Sequence, residues 1–155
     1  ENYLVEVGGE VRTKGYREGT PTKKKKGLPW RLGIDSPNPD SPTGKDIQKV
    51  VSLSGSSMAT SGDYRNFYIR KGRKISHTIV PRTGMPVSHS LASVTVITDE
   101  CIYADALATA VMTLGTKKGL ALIEGWKGAE AILLTRDPNG NVKEIQSSGI
   151  AKYLK

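Results

Sequence analysis

Alternating apolar and polar positions predict strands along most of the first hundred residues. The clearest run is Leu91–Thr98, where β-branched residues dominate and apolar side chains recur at every second position. Shorter runs of the same kind precede it, separated by segments rich in glycine, proline and polar residues. These shorter candidates cover residues 3–7, 30–34, 50–53, 67–69 and 75–80.

The spacing of apolar residues changes after the clearest strand and predicts two helices. Asp99 is a candidate N-cap, and apolar residues recur at helical spacing from Ala104 to Leu114. Gly115 follows as a helix end. Residues 116–126 have the pattern of a second helix.

Two turn sequences predict β-hairpins. Asp137-Pro138-Asn139-Gly140 lies between the apolar runs 131–135 and 142–147, and its residues favour a tight turn. Lys71-Gly72-Arg73 joins two of the earlier strand candidates in the same way. Strands followed by two helices and a closing hairpin predict an α+β fold with a mainly antiparallel sheet.

Composition places the chain among globular proteins and excludes several kinds of site. Its 155 residues are 37% hydrophobic and 25% charged, which is unlike a disordered chain. A single cysteine, Cys101, excludes an internal disulfide and a zinc site built from several thiolates. No apolar run approaches the ~18 residues of a membrane helix, and the first residues do not form a signal peptide.

The formal net charge of +8 comes entirely from the first 90 residues, which include the run Lys23–Lys26. Such a run could contact nucleic acid or an anionic membrane surface. It contains no aromatic residue, and the chain has no helix-turn-helix, ribonucleoprotein or zinc motif. Its position in the glycine- and proline-rich segment 14–29 favours a solvated loop, so we predict no nucleic-acid partner.

A carboxylate and a hydroxyl share one face of the first predicted helix. Asp105 and Thr109 are four residues apart, so their side chains lie one above the other among small and apolar neighbours. Two such oxygens are ligands that a hard cation such as Mg²⁺ accepts. The alternative is structural: Asp105 would favour the helix N-terminus, and Thr109 would bond to the preceding turn.

Two further segments carry groups that could take part in catalysis or binding. His77 lies where a strand candidate runs into Pro81 and Gly84, and a histidine at a strand end can act as a general base. It could equally be a surface residue, or a core residue whose ring nitrogens have hydrogen-bond partners. Residues 59–64 (Ala-Thr-Ser-Gly-Asp-Tyr) offer hydroxyls and backbone amides to a phosphate, although any tight loop has the same composition.

Six short blocks follow one another in a fixed order over nearly the whole chain. They are Tyr3–Glu10, Trp30–Asp35, Ala59–Tyr64, Ser76–Gly84, Ser93–Val96 and Ala104–Ala110. Together they resemble the flavin transferases of the ApbE type, which are FAD:protein FMN transferases. The ordered set is far more specific than any one block.

The resemblance implies an enzyme that binds FAD with Mg²⁺ and passes FMN to a Thr or Ser hydroxyl of a target protein, releasing AMP. It implies that Asp105 and Thr109 are metal ligands and that His77 is the base for the attacking hydroxyl. It also implies that Ile79 contacts the flavin nucleotide. Phosphoryl transfer needs groups that position the substrate and neutralise its charge, which agrees with these roles.

The resemblance also carries expectations about fold, organisation and location. It implies a T-fold-like antiparallel sheet with helices packed on one face. It covers the C-terminal half of the family, so we expect residues 1–155 to be the C-terminal part of a flavin transferase domain, weak or inactive alone. The other half would hold the rest of the FAD site and an export or lipidation signal. A periplasmic or otherwise exported protein, attached to the membrane only through a lipid anchor, is therefore implied.

Two alternative functions stay open at this point. Some members of the family use water as the acceptor and act as FAD pyrophosphatases. Val80 stands where the family usually has an acidic residue, and this departure leaves a non-catalytic flavin-binding module as the second alternative.

Overall fold

Strands make up most of the regular structure, which a computed structural model describes over residues 1–18, 27–64, 67–70 and 73–154. In chain order the strands are β1 (Tyr3–Val7), β2 (Glu10–Lys14), β3 (Trp30–Asp35), β4 (Ile47–Leu53), β5 (Ser57–Gly62), β6 (Phe67–Arg70), β7 (Arg73–Ser76), β8 (Ile79–Val80), β9 (Met85–Pro86), β10 (Leu91–Thr98), β11 (Glu130–Arg136) and β12 (Val142–Gln146). The helices are α1 (Cys101–Leu114), α2 (Thr116–Gly125) and a short 3₁₀-helix (Ile150–Tyr153). The run Lys23–Lys26 lies outside the described residues.

One six-stranded sheet, in the order β1-β2-β5-β10-β11-β12, forms the centre of the fold. All neighbouring strands in it are antiparallel. The pairs β3–β4, β6–β7 and β8–β9 are also antiparallel. The predicted α+β fold with a mainly antiparallel sheet is confirmed, while the T-fold name for it stays a prediction.

Side-chain alternation on the central strands builds one hydrophobic core on each face of the sheet. Val94, Val96 and Leu133 pack in one cluster with Val111 of α1 and Ile123 of α2. The core on the opposite face consists of Val11, Ile34, Val51, Leu53, Met58, Ile97, Ile132, Leu134 and Ile150. Both helices therefore lie on one face of the sheet, and the β3–β4 pair and the 3₁₀-helix cover the other.

Strand β5 forms in a segment of small residues for which no strand was predicted. Ser57 and Ala59 are almost fully buried, because β5 lies between β2 and β10 and contacts α1. Small side chains let the helix backbone approach the strand closely. The composition of this segment is that of a tight loop, and it equally suits a strand beneath a closely packed helix.

The two helices begin and end close to the predicted positions. Helix α1 begins at Cys101, and Glu100 occupies the N-cap position that was predicted for Asp99. Gly115 ends α1 with φ at +75°, a left-handed conformation that glycine adopts at the lowest cost. Within the described ranges, no helix is long and apolar enough to cross a membrane.

The predicted strand 75–80 divides into β7 and β8, and the chain bends between them at His77. Ser76 is buried, and its hydroxyl accepts a hydrogen bond from the Thr78 backbone N–H at 3.2 Å. This local turn leaves His77 exposed at the junction. Strands β6 and β7 pair as the hairpin prediction required, although residues 71–72 of the turn itself lie outside the described residues.

Replacing Leu133 with alanine is expected to lower the free energy of unfolding by about 2–5 kcal/mol. Leu133 is fully buried between the sheet and the helices, so its truncation leaves a cavity. Urea unfolding followed by circular dichroism would measure the change. Val142→Ala on the exposed strand β12 is the control, with an expected loss of about 0.5 kcal/mol. Equal losses in the two variants would contradict close packing at Leu133.

Candidate functional site

A cavity of about 630 Å³ opens where β2 and β5 diverge. Its walls come from the β1–β2 turn, the β3–β4 pair, strand β5 and helix α1. Strand β2 pairs with β5 only at Val11–Met58 and Arg12–Ser57, so the remainder of β5 borders open space. The volume falls within the ~300–1,000 Å³ that is typical of small-molecule pockets.

Helix α1 presents Asp105 and Thr109 to this cavity. On the same helix Ala104 and Ala108 are fully buried, and their contact with the sheet fixes which face of α1 borders the cavity. The hydroxyls of Thr109 and of Ser61 on β5 lie 3.3 Å apart, within hydrogen-bond distance. The predicted metal ligands therefore share one wall of the cavity, and their role stays a prediction.

The turn between β7 and β8 brings His77 to the same cavity. The predicted base is thus close to the predicted metal ligands, although they are distant in sequence. Ile79, the predicted flavin contact, begins β8, is 46% exposed and does not line the cavity. The structure therefore brings together three of the four predicted site residues and leaves Ile79 outside.

Carboxylates for which no role was predicted also line the cavity. Glu6, Glu10 and Asp35 border the cavity together with Asp105, and no Lys or Arg of the described residues does so. Asp35 accepts a hydrogen bond from the Gly44 N–H at 3.1 Å, which closes the polar loop after β3. These carboxylates come from three different strands, so no spacing along the sequence could reveal that they meet.

The lining suits a divalent cation that is bound together with a phosphate ligand. Asp105 and Thr109 offer oxygen ligands, and Mg²⁺ usually takes its remaining ligands from water and phosphate. The described residues contain no group of three or more His, Cys, Asp and Glu side chains that could hold a metal ion. A pyrophosphate here would meet several carboxylates, and a bound cation would offset their repulsion.

The pKa of the Cys101 thiol is shifted by burial and by charged groups near the N-terminal end of α1. Burial raises the pKa of its thiol, and the carboxylates of Glu10 and Asp105 raise this pKa further. The Arg12 guanidinium opposes them with a smaller effect. A raised pKa reduces the thiolate fraction at neutral pH, and the thiolate is the reactive form.

Cys101 is therefore expected to react with iodoacetamide more slowly than free cysteine at neutral pH. Asp105→Asn removes one of the charges that raise the thiol pKa, so this variant should react faster than the unchanged protein. Mass spectrometry of the alkylated protein would give the rates. Asp99→Asn loses the same charge outside the cavity and is the control. An equal acceleration in both variants would contradict a specific effect of Asp105.

Comparison with known proteins gives the family to which this chain belongs. The model of the ApbE family matches residues 1–133, and the chain belongs to that family. It is 36% identical to the FAD:protein FMN transferase of Vibrio cholerae, over 99% of this chain and 42% of the relative. The identity with the FAD:protein FMN transferase of Haemophilus influenzae is 37%, over 96% of this chain and 40% of the relative.

Solved structures of the family share the fold. The apo form of the Pseudomonas stutzeri flavinyl transferase ApbE matches with a TM-score of 0.75 at 39% identity, over 99% of this chain and 44% of that one. The flavin transferase ApbE from Vibrio cholerae gives a TM-score of 0.75 at 36% identity, over 99% of this chain and 45% of that one. The chain thus spans less than half the length of these relatives, and its assignment to the C-terminal part of the domain stays a prediction.

Proposed function

We propose that the complete protein transfers FMN from FAD to a Thr or Ser hydroxyl of a target protein and releases AMP, in a reaction that requires Mg²⁺. The observation that carries the proposal is the meeting of His77, Asp105 and Thr109 at one cavity. His77 follows strand β7, whereas Asp105 and Thr109 lie on helix α1. Membership in a family whose named relatives are FAD:protein FMN transferases supports the same reaction.

Different residues of the cavity have different roles in this phosphoryl transfer. The acceptor oxygen forms a bond to the phosphorus of the FMN moiety while the bond from that phosphorus to the bridging oxygen breaks. AMP leaves with the bridging oxygen, and His77 takes the proton of the acceptor hydroxyl. Asp105 and Thr109 would hold an Mg²⁺ ion, which would neutralise charge on the pyrophosphate. Ser61 lies within hydrogen-bond distance of Thr109 and orients its hydroxyl.

An assay with the complete protein, FAD, Mg²⁺ and a target protein that carries an acceptor Thr tests the proposal. Transfer produces a fluorescent adduct on the target that survives denaturing electrophoresis, together with one AMP for each flavin attached. Formation of FMN and AMP without an adduct would instead support the FAD pyrophosphatase alternative. If FAD is not consumed, both reactions are rejected.

We also propose that the complete protein is exported and held at the membrane by a lipid anchor, as the resemblance to exported flavin transferases implies. Immunodetection in periplasmic, membrane and cytosolic fractions of cells that express the complete gene would test this. Recovery in the cytosolic fraction alone would contradict it.

A further inference from the structure

Among the described residues, strand β5 has a free edge that faces the cavity. Strand β10 pairs with β5 along its whole length, from Ser57 to Gly62. On the other side, the pairing with β2 ends at Met58, and no other described strand continues it. Residues 60–62 border the cavity instead.

The backbone groups of Thr60 and Gly62 point towards this free edge. The Asp63 N–H donates to the Ala92 carbonyl at 2.9 Å, so these two residues form a hydrogen-bonded pair of the β5–β10 ladder. Such pairs alternate along antiparallel strands, which directs the backbone of Ser61 to β10 and that of Thr60 and Gly62 away from it. Two N–H groups and two carbonyl groups therefore face the cavity, from residues about 6.8 Å apart.

This pattern is the one that an extended peptide needs. A strand laid antiparallel to β5 would continue the line of β2, and its alternate residues would exchange hydrogen bonds with Thr60 and Gly62. Peptides bind sheet edges in this way in several kinds of recognition domain, with the backbone supplying affinity and the side-chain pockets supplying specificity.

The groups around the free edge indicate which kind of peptide fits. Glu6, Glu10 and Asp35 border the cavity without any Lys or Arg of the described residues, so their charges favour a neutral or basic segment over an acidic one. His77 and Asp105 line the same cavity. A Thr or Ser in a peptide bound here would therefore share the cavity with the proposed base and metal ligand.

We propose that the free edge of β5, at Thr60 and Gly62, binds the acceptor segment of the target protein as an added antiparallel strand. The inference rests on the proposed transferase function and specifies how the acceptor chain is held. Because pairing through the backbone requires an extended chain, the acceptor hydroxyl must belong to a segment that is extended or unfolded when it binds.

Backbone methylation of a peptide acceptor tests the proposal on the unmodified complete protein. The probes are nonapeptides with one central Thr and neutral or basic neighbours, and attached FMN is measured by fluorescence. Each methylated probe carries one N-methyl group. At every second residue of the best acceptor, this methyl group is expected to raise KM about tenfold, because it removes one hydrogen bond to β5. Methylation at the residues between them is expected to change KM less than about twofold, since their N–H groups point away from β5. Uniform tolerance of methylation would overturn the proposal.

A pair of substitutions at one position tests it from the side of the protein. Thr60→Pro removes an N–H from the free edge and no bond of the β5–β10 ladder. Thr60→Val is the matched control, because both variants lose the hydroxyl that lies 2.8 Å from that of Thr95. We expect the KM for the peptide to be about tenfold higher in Thr60→Pro than in Thr60→Val, with equal Kd values for FAD. A loss of FAD affinity in Thr60→Pro alone would overturn the proposal, since the edge would then bind the nucleotide.

Failure of this inference is distinguishable from failure of the proposed function. Transfer to a folded target but to no peptide would reject strand addition and leave the transferase function intact. Cleavage of FAD to FMN and AMP without any adduct would reject strand addition and support the pyrophosphatase. If Thr60→Pro does not fold, the methylation series on the unmodified protein decides alone.

Discussion

Replacing His77 with alanine in the complete protein is expected to slow the proposed FMN transfer about 100-fold or more, because a general base typically contributes about 10²–10⁴ to the rate. The Kd for FAD should change less than about twofold, since the proposed role of His77 concerns the proton of the acceptor and not the binding of the nucleotide. Single-turnover transfer with saturating FAD measures the first quantity, and the quenching of flavin fluorescence measures the second.

His89, the only other histidine of the chain, provides the control for this substitution. Its Nε2 lies 2.8 Å from the Met112 carbonyl oxygen at the end of α1, and it does not line the cavity. His89→Ala should therefore lower stability without slowing transfer at temperatures where the variant is folded. A parallel fall in FAD affinity and rate for His77→Ala would contradict the base assignment. If the unchanged protein binds FAD but transfers no FMN, the non-catalytic flavin-binding module would be favoured.

In the complete protein, Asp105→Asn is expected to raise the Mg²⁺ concentration needed for half-maximal rate of the proposed transfer by about tenfold or more. The change keeps the shape of the side chain but removes a negative charge that a hard cation requires. Because Asp105 is exposed on α1, we expect the free energy of unfolding to change by only about 0.5 kcal/mol. Titration of transfer against Mg²⁺ gives the first value. The thermal shift that Mg²⁺ causes in the presence of FAD gives a second measure, which does not depend on turnover.

Asp99→Asn separates metal binding from a general effect of charge on α1. Asp99 directly precedes the helix N-cap, is exposed and does not line the cavity. Its replacement removes one negative charge near the same helix, so the Mg²⁺ requirement should stay unchanged. Superimposable Mg²⁺ curves for Asp105→Asn and the unchanged protein would reject the metal assignment, even though the chain belongs to the family.

Local patterns in the sequence predicted the elements whose residue composition and apolar spacing are clearest. Strand β10 has the predicted bounds, Leu91–Thr98, and α1 ends at the predicted glycine. The spacing of Asp105 and Thr109 on that helix was also sufficient to place them side by side, because helical periodicity is a local property. Predictions of this kind need no knowledge of the rest of the chain.

The remainder of the site depends on contacts between distant segments. Strand β5 is covered by α1 and flanked by β2 and β10. Its small residues do not alternate between apolar and polar, so the sequence gives no sign that the strand is buried. His77 reaches the cavity because β7 ends at Ser76, one residue before it. Glu6 and Asp35 border the same cavity as α1 because the pairing of β1 with β2 and of β3 with β4 places them there. The family resemblance predicted the role of His77, and the sequence alone did not predict its neighbours.

The exposed outer strand β1 affects how this chain behaves in concentrated solution. Val5 and Val7 are 50% and 72% exposed there, and the outer edge of β1 has no partner strand in the described sheet. Such an edge promotes association between molecules. The net charge of +8 opposes that association through mutual repulsion, but about 1 M salt shortens the screening length to about 3 Å. The chain should therefore remain dispersed in dilute buffer and self-associate as ionic strength rises, and light scattering across a salt series would show the transition.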